Sequence, residues 1–272
     1  MRLKKCLNGA DYIRSESMFS VHGFSTRMGG MSTLSHTSSL NLAFGRGDER
    51  ETVLENLRIF AEAVGFDPKR LVSVSQIHSA DVVCVDESHA GQGYFIDECF
   101  ECDGYVTKVS GITLGVKTAD CVPILMEGYD SEGKVCAVGA VHAGWKGTVN
   151  GIAAACLEKL VGLGALRESV RVAIGPAICG DCFEVRRDFY DAVREILGES
   201  ITEKFVIPDR KRLGVWHCDL RAMNREFLIS AGVKAENIDI SEECTCCMPE
   251  RYFSHRYSQG KRGSMLSVIK MP

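Results

Sequence analysis

The chain has 272 residues, 45% hydrophobic and 25% charged, a balance that excludes a disordered or fibrous protein and allows a sizeable core. Its formal charge is -4 and no run of Lys or Arg forms a stripe, so the footprint of a nucleic-acid binder is missing and a small-molecule partner is expected. The first residues lack an apolar signal core, no segment is apolar enough to span a membrane, and the thirteen cysteines are odd in number; together these predict a cytoplasmic protein with mainly reduced thiols.

In chain order, the apolar periodicity first predicts a helix over 51–64, stopped by Gly65. β-Branched runs bounded by Gly, Asp or Asn then predict strands over 71–74, 82–85, 112–116 and 135–141. A helix over 152–161 ends near Gly162, a strand covers 170–174, and helices over 187–197 and 220–230 stop near Gly198 and Gly232. A last strand covers 265–269. Several strands between 71 and 141 follow one another with only loops between them, which disfavours a doubly wound parallel sheet. The expected fold is α+β, with mixed, largely antiparallel sheets flanked by helices. No linker, low-complexity tract or repeat divides it, so 1–272 reads as a single domain.

Three metal-ligating side chains stand just beyond strand-like runs: His78 after 71–74, Cys121 after 112–116, and His142 at the end of 135–141. Neighbouring strands would bring such ends together. Two imidazoles and a thiolate suit zinc, and three protein ligands leave the fourth tetrahedral position open, as a catalytic zinc requires. Copper is the alternative, and a blue-copper centre would add an axial Met such as Met126, but these ligands do not gather on one loop. After His142, the turn Ala143-Gly144-Trp145-Lys146-Gly147-Thr148 leads toward a helix, offering backbone N–H groups and the Lys146 charge to a phosphate; an ordinary tight connection is the competing reading.

These residues lie within a nearly end-to-end series of motifs. It runs from Phe24-Ser25-Thr26-Arg27-Met28-Gly29-Gly30 and Ser39-Leu40-Asn41-Leu42 through Gln76-Ile77-His78-Ser79, Thr118-Ala119-Asp120-Cys121-Val122-Pro123 and Val141-His142-Ala143-Gly144-Trp145. It continues with Ile174-Gly175-Pro176, Phe183-Glu184-Val185, Cys244-Thr245 and Phe253-Ser254-His255-Arg256. In this the chain resembles the family known variously as multicopper polyphenol oxidase, laccase-domain protein and purine nucleoside phosphorylase. The resemblance implies His78, Cys121 and His142 as zinc ligands, with purine nucleosides and phosphate as substrates. It implies phosphorolysis of adenosine, inosine, guanosine and methylthioadenosine, and deamination of adenosine. Arg27, Asn41 and Arg256 match positions placed around nucleoside and phosphate. The chain departs from the family in carrying Lys146 for the usual Arg, which loses the bidentate fork, and Ala177 for the Cys after Gly-Pro, while Cys179 and Cys182 are additional.

Asp120 is a candidate proton acceptor or orienting partner, or else a turn aspartate, and His217 and His255 are candidates for proton transfer. Cys179-Gly180-Asp181-Cys182 with the cluster Cys244, Cys246 and Cys247 suggests a structural zinc or a redox pair, although the second cluster reads as lacking the C-x-x-C spacing. Cys99 and Cys102, among Glu98, Glu101 and Asp103, read as surface residues. A copper phenol oxidase loses ground because the seven histidines include no His-x-His pair. Hydrolytic editing of peptidoglycan precursors is a further alternative. The H-x-E and P-C-x-x-C elements of the well-known zinc deaminases do not occur, so deamination would need a separate solution. The state of association is expected to be monomer or homodimer.

Overall fold

The computed structural model describes residues 1–97 and 99–272. Its strands are β1 (Arg2–Lys4), β2 (Tyr12–Arg14), β3 (His22–Ser25), β4 (Leu71–Val72), β5 (Val82–Cys84), β6 (Gly104–Thr107), β7 (Thr113–Thr118), β8 (Val122–Tyr129), β9 (Val135–Ala143), β10 (Arg171–Ile174), β11 (Glu184–Val185), β12 (Val206–Pro208), β13 (Trp216–Cys218), β14 (Ile238–Ile240) and β15 (Met265–Lys270). The helices are α1 (Arg50–Val64), α2 (Trp145–Val149), α3 (Ile152–Gly162), α4 (Arg187–Leu197), α5 (Glu199–Phe205) and α6 (Leu220–Ser230).

There are two six-stranded sheets, ordered β1-β2-β3-β15-β7-β4 and β14-β10-β8-β9-β6-β5, and a separate small sheet β11-β13-β12. Only β4 with β7, β5 with β6 and β10 with β14 pair in parallel among the described residues. The expected mixed, largely antiparallel architecture is therefore the observed one. Strand period sorts the side chains between layers. Along β8, Val122, Ile124 and Met126 face the helices α3, α4 and α6, while Leu125 faces the other large sheet with Val138, Ala140, Leu114 and Val116. A third core packs α1, through Val53, Leu57 and Phe60, on the outer face of the first sheet against Leu71, Leu266 and Val268.

Gly65 ends α1 in the left-handed region at φ 96°, a conformation that glycine adopts without a Cβ penalty. Gly162 instead lies inside α3, and α6 stops at Ala231, one residue before Gly232. Strand β8 was not expected. Pro123 and the Glu127-Gly128 pair interrupt its apolar run, but Pro123 sits near the strand's start and needs no amide proton for its pairing to His142. The short α5 was missed as well, since Gly198 ends α4 and also starts α5.

Leu125 is wholly buried between the two large sheets. Leu125→Ala is expected to destabilise the protein by about 2–5 kcal/mol in chemical denaturation, whereas Leu213→Ala, on a fully exposed side chain, should change stability by less than about 0.5 kcal/mol.

Candidate metal centre

Strand register assembles the centre. Parallel pairing of β4 with β7 sends the chain after β4 alongside the end of β7, where Gln76 Nε2 donates to Lys117 O and Lys117 N to Gln76 Oε1, both at 2.7 Å. Antiparallel pairing of β8 with β9 sets Val122 opposite Ala143 and Pro123 opposite His142, which brings Cys121 beside Gly144. Pairing of β6 with β9 sets Gly104 opposite Val141, so Asp103 comes beside His142, whose backbone N–H donates to Asp103 O at 2.7 Å.

The ligand atoms of His78, Cys121 and His142 all lie within 4.8 Å of one another, and this group could hold a metal ion. His78 Nε2 is 3.9 Å from Cys121 Sγ, and the two imidazole rings meet edge to face with centroids 4.8 Å apart. His142 is buried, Cys121 half-buried and His78 exposed, so the group opens to one side. Gly144 must be small here, because a Cβ would stand 2.7 Å from His78 Cδ2.

The buried carboxylate of Asp103 fixes both histidines. Its Oδ1 is 2.7 Å from His142 Nδ1, which turns Nε2 toward the ligand group; its Oδ2 accepts from Ser79 N at 2.5 Å and Ile77 N at 3.2 Å, the amides flanking His78. Burial alone would raise the Asp103 pKa, but His142 and the Ser79 amide overcome it and hold the carboxyl down at about 2. Burial likewise opposes charge on Cys121 and His142, yet each favours the other's ion: the thiol is held well below its ordinary value and the imidazole above its own, with Asp103 adding to the second effect.

His78 (φ 63°) and Asp120 (φ 93°) both occupy the left-handed region as non-glycine residues. Asp120 is tied down on three sides: Thr245 Oγ1 donates to Oδ1 at 2.6 Å, Arg256 N to Oδ2 at 2.7 Å, and Ile178 N to its carbonyl at 3.0 Å. Such restraint holds a strained residue in place, and here it aims the next residue, Cys121.

The ligand group lies in the wall of a cavity of about 290 Å3. Phe44, Arg46, Lys117, Arg262 and Ser264 complete much of that wall. Met265 pairs with Thr118, which is how Arg262 and Ser264, just before β15, reach the turn after β7. Burial, with Arg46 nearby, lowers the pKa of Lys117 to about 8 and of Arg262 to about 10. Arg262 Nε is buried without a hydrogen-bond partner.

The other expected site residues stand elsewhere. Asp120 does not line this cavity. His217, on β13, lines a second cavity and holds Asp209 through Nε2 at 3.0 Å. Arg27 donates to Ser38 O and Pro249 O, stacks on Phe253, and lines a small neighbouring cavity that shares Arg262. Asn41 is buried, donating to Ala43 O and Asp48 Oδ2 and accepting from Ser264 N through Oδ1. The Arg256 guanidinium donates to Cys182 O and Glu184 O, while Lys146 is exposed beside Trp145. Met126, the axial ligand considered for copper, is a fully buried core residue. Cys102 is not a surface residue: it is fully buried and its Sγ donates to Gly104 O. Glu98 lies outside the described residues. Asp103 escaped the sequence reading because an acidic residue before a glycine looks like a turn; its place ahead of a buried strand is the signal that could have found it.

The family model described as multi-copper polyphenol oxidoreductase laccase matches residues 21–272. The chain is 37% identical over 246 residues to adenosine deaminase RL5 from an unknown prokaryotic organism, covering 89% of this chain and 90% of that one. It is 36% identical over 265 residues to a purine nucleoside phosphorylase of Deinococcus radiodurans, covering 97% and 94%. The crystal structure of the hypothetical protein YfiH of Bacillus licheniformis superposes with a TM-score of 0.88 at 30% identity, covering 99% of each chain; that of YlmD from Geobacillus stearothermophilus gives 0.83 at 31%, covering 98% of each.

Because ligating imidazoles must be neutral and the thiol ionised, metal binding competes with protons. With Cys121 shifted down and His142 up, the pair holds one proton near neutrality, on His142. Metal affinity should therefore fall about tenfold per pH unit on acidification and more steeply once Cys121 is protonated too, read by chelator competition. Asp103→Asn should weaken metal affinity about 10–100-fold at constant pH while the circular dichroism spectrum stays unchanged.

Proposed function

The chain belongs to the multi-copper polyphenol oxidoreductase laccase family, and from that premise we propose that its residues act as one domain catalysing zinc-dependent phosphorolysis of purine nucleosides, with deamination of adenosine as a second activity. Relatives bearing the names purine nucleoside phosphorylase and adenosine deaminase support both parts. The observation that carries the reading is the meeting, in one cavity, of an open three-ligand metal group with three cationic side chains, Arg46, Lys117 and Arg262.

Zinc fits better than copper. The donor set of two imidazoles and one thiolate suits it, and Met126 pairs with Gly139, three residues along the strands from His142, which is out of reach of an axial position. When bound, zinc supplies an open coordination position and lowers the pKa of water toward neutrality, as deamination at C6 of adenosine requires.

Phosphorolysis rests on the chain's own side chains. Arg46, Lys117 and Arg262 bind phosphate, and the free Nε of Arg262 gives it a donor already desolvated. Phe44 offers a ring face to the purine. A phosphate oxygen bonds to the ribose C1′ as the bond from C1′ to N9 breaks, and that electron pair leaves with the purine, which takes up a proton. Lys117, brought down to about 8, is suited to give that proton near neutral pH. The products are the free base and ribose 1-phosphate, or methylthioribose 1-phosphate from methylthioadenosine.

The remaining residues act through these. Asn41 positions Ser264, and Asp120 with Arg256 positions Cys121. Arg27 contributes from the neighbouring cavity through the shared Arg262. Lys146 lies outside the cavity wall and His217 lines another cavity, so neither is given a part in this mechanism.

The test is to incubate zinc-loaded protein with adenosine, with and without phosphate. Adenine and ribose 1-phosphate should appear only with phosphate, and inosine in either condition; adenine release independent of phosphate would refute phosphorolysis. Arg262→Ala should raise the KM for phosphate about tenfold or more, Lys146→Ala by less than about threefold, and neither should reduce inosine formation by more than about threefold. The reverse order of the two KM effects would move the phosphate site to the Lys146 turn.

A further inference from the structure

Outside the cavity, four cysteines form a second group. Cys179, Cys182, Cys244 and Cys247 place their sulfur atoms within 4.8 Å of one another, and all four are free thiols. The structure corrects the spacing read from sequence: Cys246 is left out, and the remaining pairs, Cys179 with Cys182 and Cys244 with Cys247, each have two residues between them. We propose that these four thiols bind a second zinc ion, structural in role, which clamps the turn that carries Cys121.

The geometry supports a single tetrahedral ion. Sulfur bound at about 2.3 Å in a tetrahedron lies about 3.8 Å from its fellow ligands. Here Cys182 Sγ and Cys247 Sγ are 3.3 Å apart, and no pair in the group exceeds 4.8 Å. The backbone already makes the turns such a site uses: Cys182 N donates to Cys179 O at 3.2 Å, Met248 N to Cys244 O at 3.1 Å, and Cys179 N to Cys244 Sγ at 3.2 Å. A donor N–H aimed at Cys244 Sγ favours the thiolate that a metal needs. Two pairs of this spacing from distant parts of the chain, closing on one point with no disulfide, are far more specific than a lone thiol. Four thiols release four protons to the solvent and hold one zinc ion as thiolates, and no electron is transferred.

What the ion would hold together follows from the contacts beside it. Ala177 bridges to Cys244, and Thr245 N donates to Ala177 O at 3.2 Å. Ile178, next to the first pair, and Thr245, within the second, are two of the three residues that restrain Asp120; Arg256, the third, also donates to Cys182 O. The second zinc would therefore lock the left-handed turn that aims Cys121, without touching substrate. This inference does not depend on nucleoside chemistry, and the failure of either leaves the other standing.

Metal content of the purified full chain, by mass spectrometry, tests it. Two zinc ions per chain are expected. His78→Ala/His142→Ala should retain one, Cys182→Ser/Cys247→Ser should retain the other with a lower thermal midpoint, and Cys246→Ser should retain both. Should the serine variant fail to fold, cobalt substitution in His78→Ala/His142→Ala gives an independent reading, with the thiolate-to-cobalt charge transfer and visible bands of a four-sulfur tetrahedral site expected. Any of three results overturns the proposal: one zinc in the wild type and none in His78→Ala/His142→Ala, two thiols lost to a disulfide with no second metal, or iron instead of zinc at the four-cysteine group.

Discussion

A carboxylate with no solvent exposure, Asp103, sets the geometry on which the candidate centre depends. Burying a charge is costly unless hydrogen-bond donors replace the lost water. The donors here are His142 Nδ1 from β9 and the Ser79 and Ile77 amides on either side of His78. The carboxylate is satisfied only when the β4 to β5 connection and the end of β9 are both in place. The same contacts that solvate Asp103 therefore bring the two imidazoles to an edge-to-face approach, and the site is a consequence of folding a charge into the interior.

Cys121 is governed by a different device. It follows Asp120 in a left-handed turn, a conformation costing about 1–3 kcal/mol unless the surroundings fix it. Asp120 meets that cost by surrendering both carboxylate oxygens and its carbonyl to Thr245, Arg256 and Ile178. A residue so committed has little capacity left for proton transfer, which is why positioning is the role that fits it. The restraints come from 178, 245 and 256, so the aim of Cys121 depends on segments far along the chain.

The three-ligand group was legible in sequence because each member stands at the end of an apolar run, and strand ends in one sheet system converge. The helices 187–197 and 220–230 were legible to the residue because their apolar faces are strongly periodic and Asp219 caps the second. Other features depend on register, which a single sequence does not display. Arg262 meets Lys117 because Met265 pairs with Thr118, Arg46 joins them from a loop whose Asn41 and Leu42 are hydrogen-bonded to Ser264, and Asp103 meets His142 because Gly104 pairs with Val141. Strand β8 was hidden by Pro123, and the spacing of Cys244 and Cys247 by the intervening Cys246. Lys146, Arg256 and Arg27 illustrate the opposite case, where a motif supplies a charge and only the fold decides which wall it joins.

Charge balance in the cavity ties the two proposed activities together. The three ligands carry one negative charge when Cys121 is ionised, so a divalent ion leaves the group net positive, and Arg46, Lys117 and Arg262 share the same wall. Burial is the main cause that depresses Lys117 and Arg262, and repulsion from Arg46 adds to it. A phosphate anion offsets that repulsion and draws the Lys117 pKa upward, favouring the protonated amine that the departing purine requires. A neutral nucleoside with water does not. In the proposed chemistry phosphate thus acts as nucleophile and also sets the protonation state of the cavity, so that phosphorolysis proceeds with Lys117 charged and deamination with a larger fraction of it neutral.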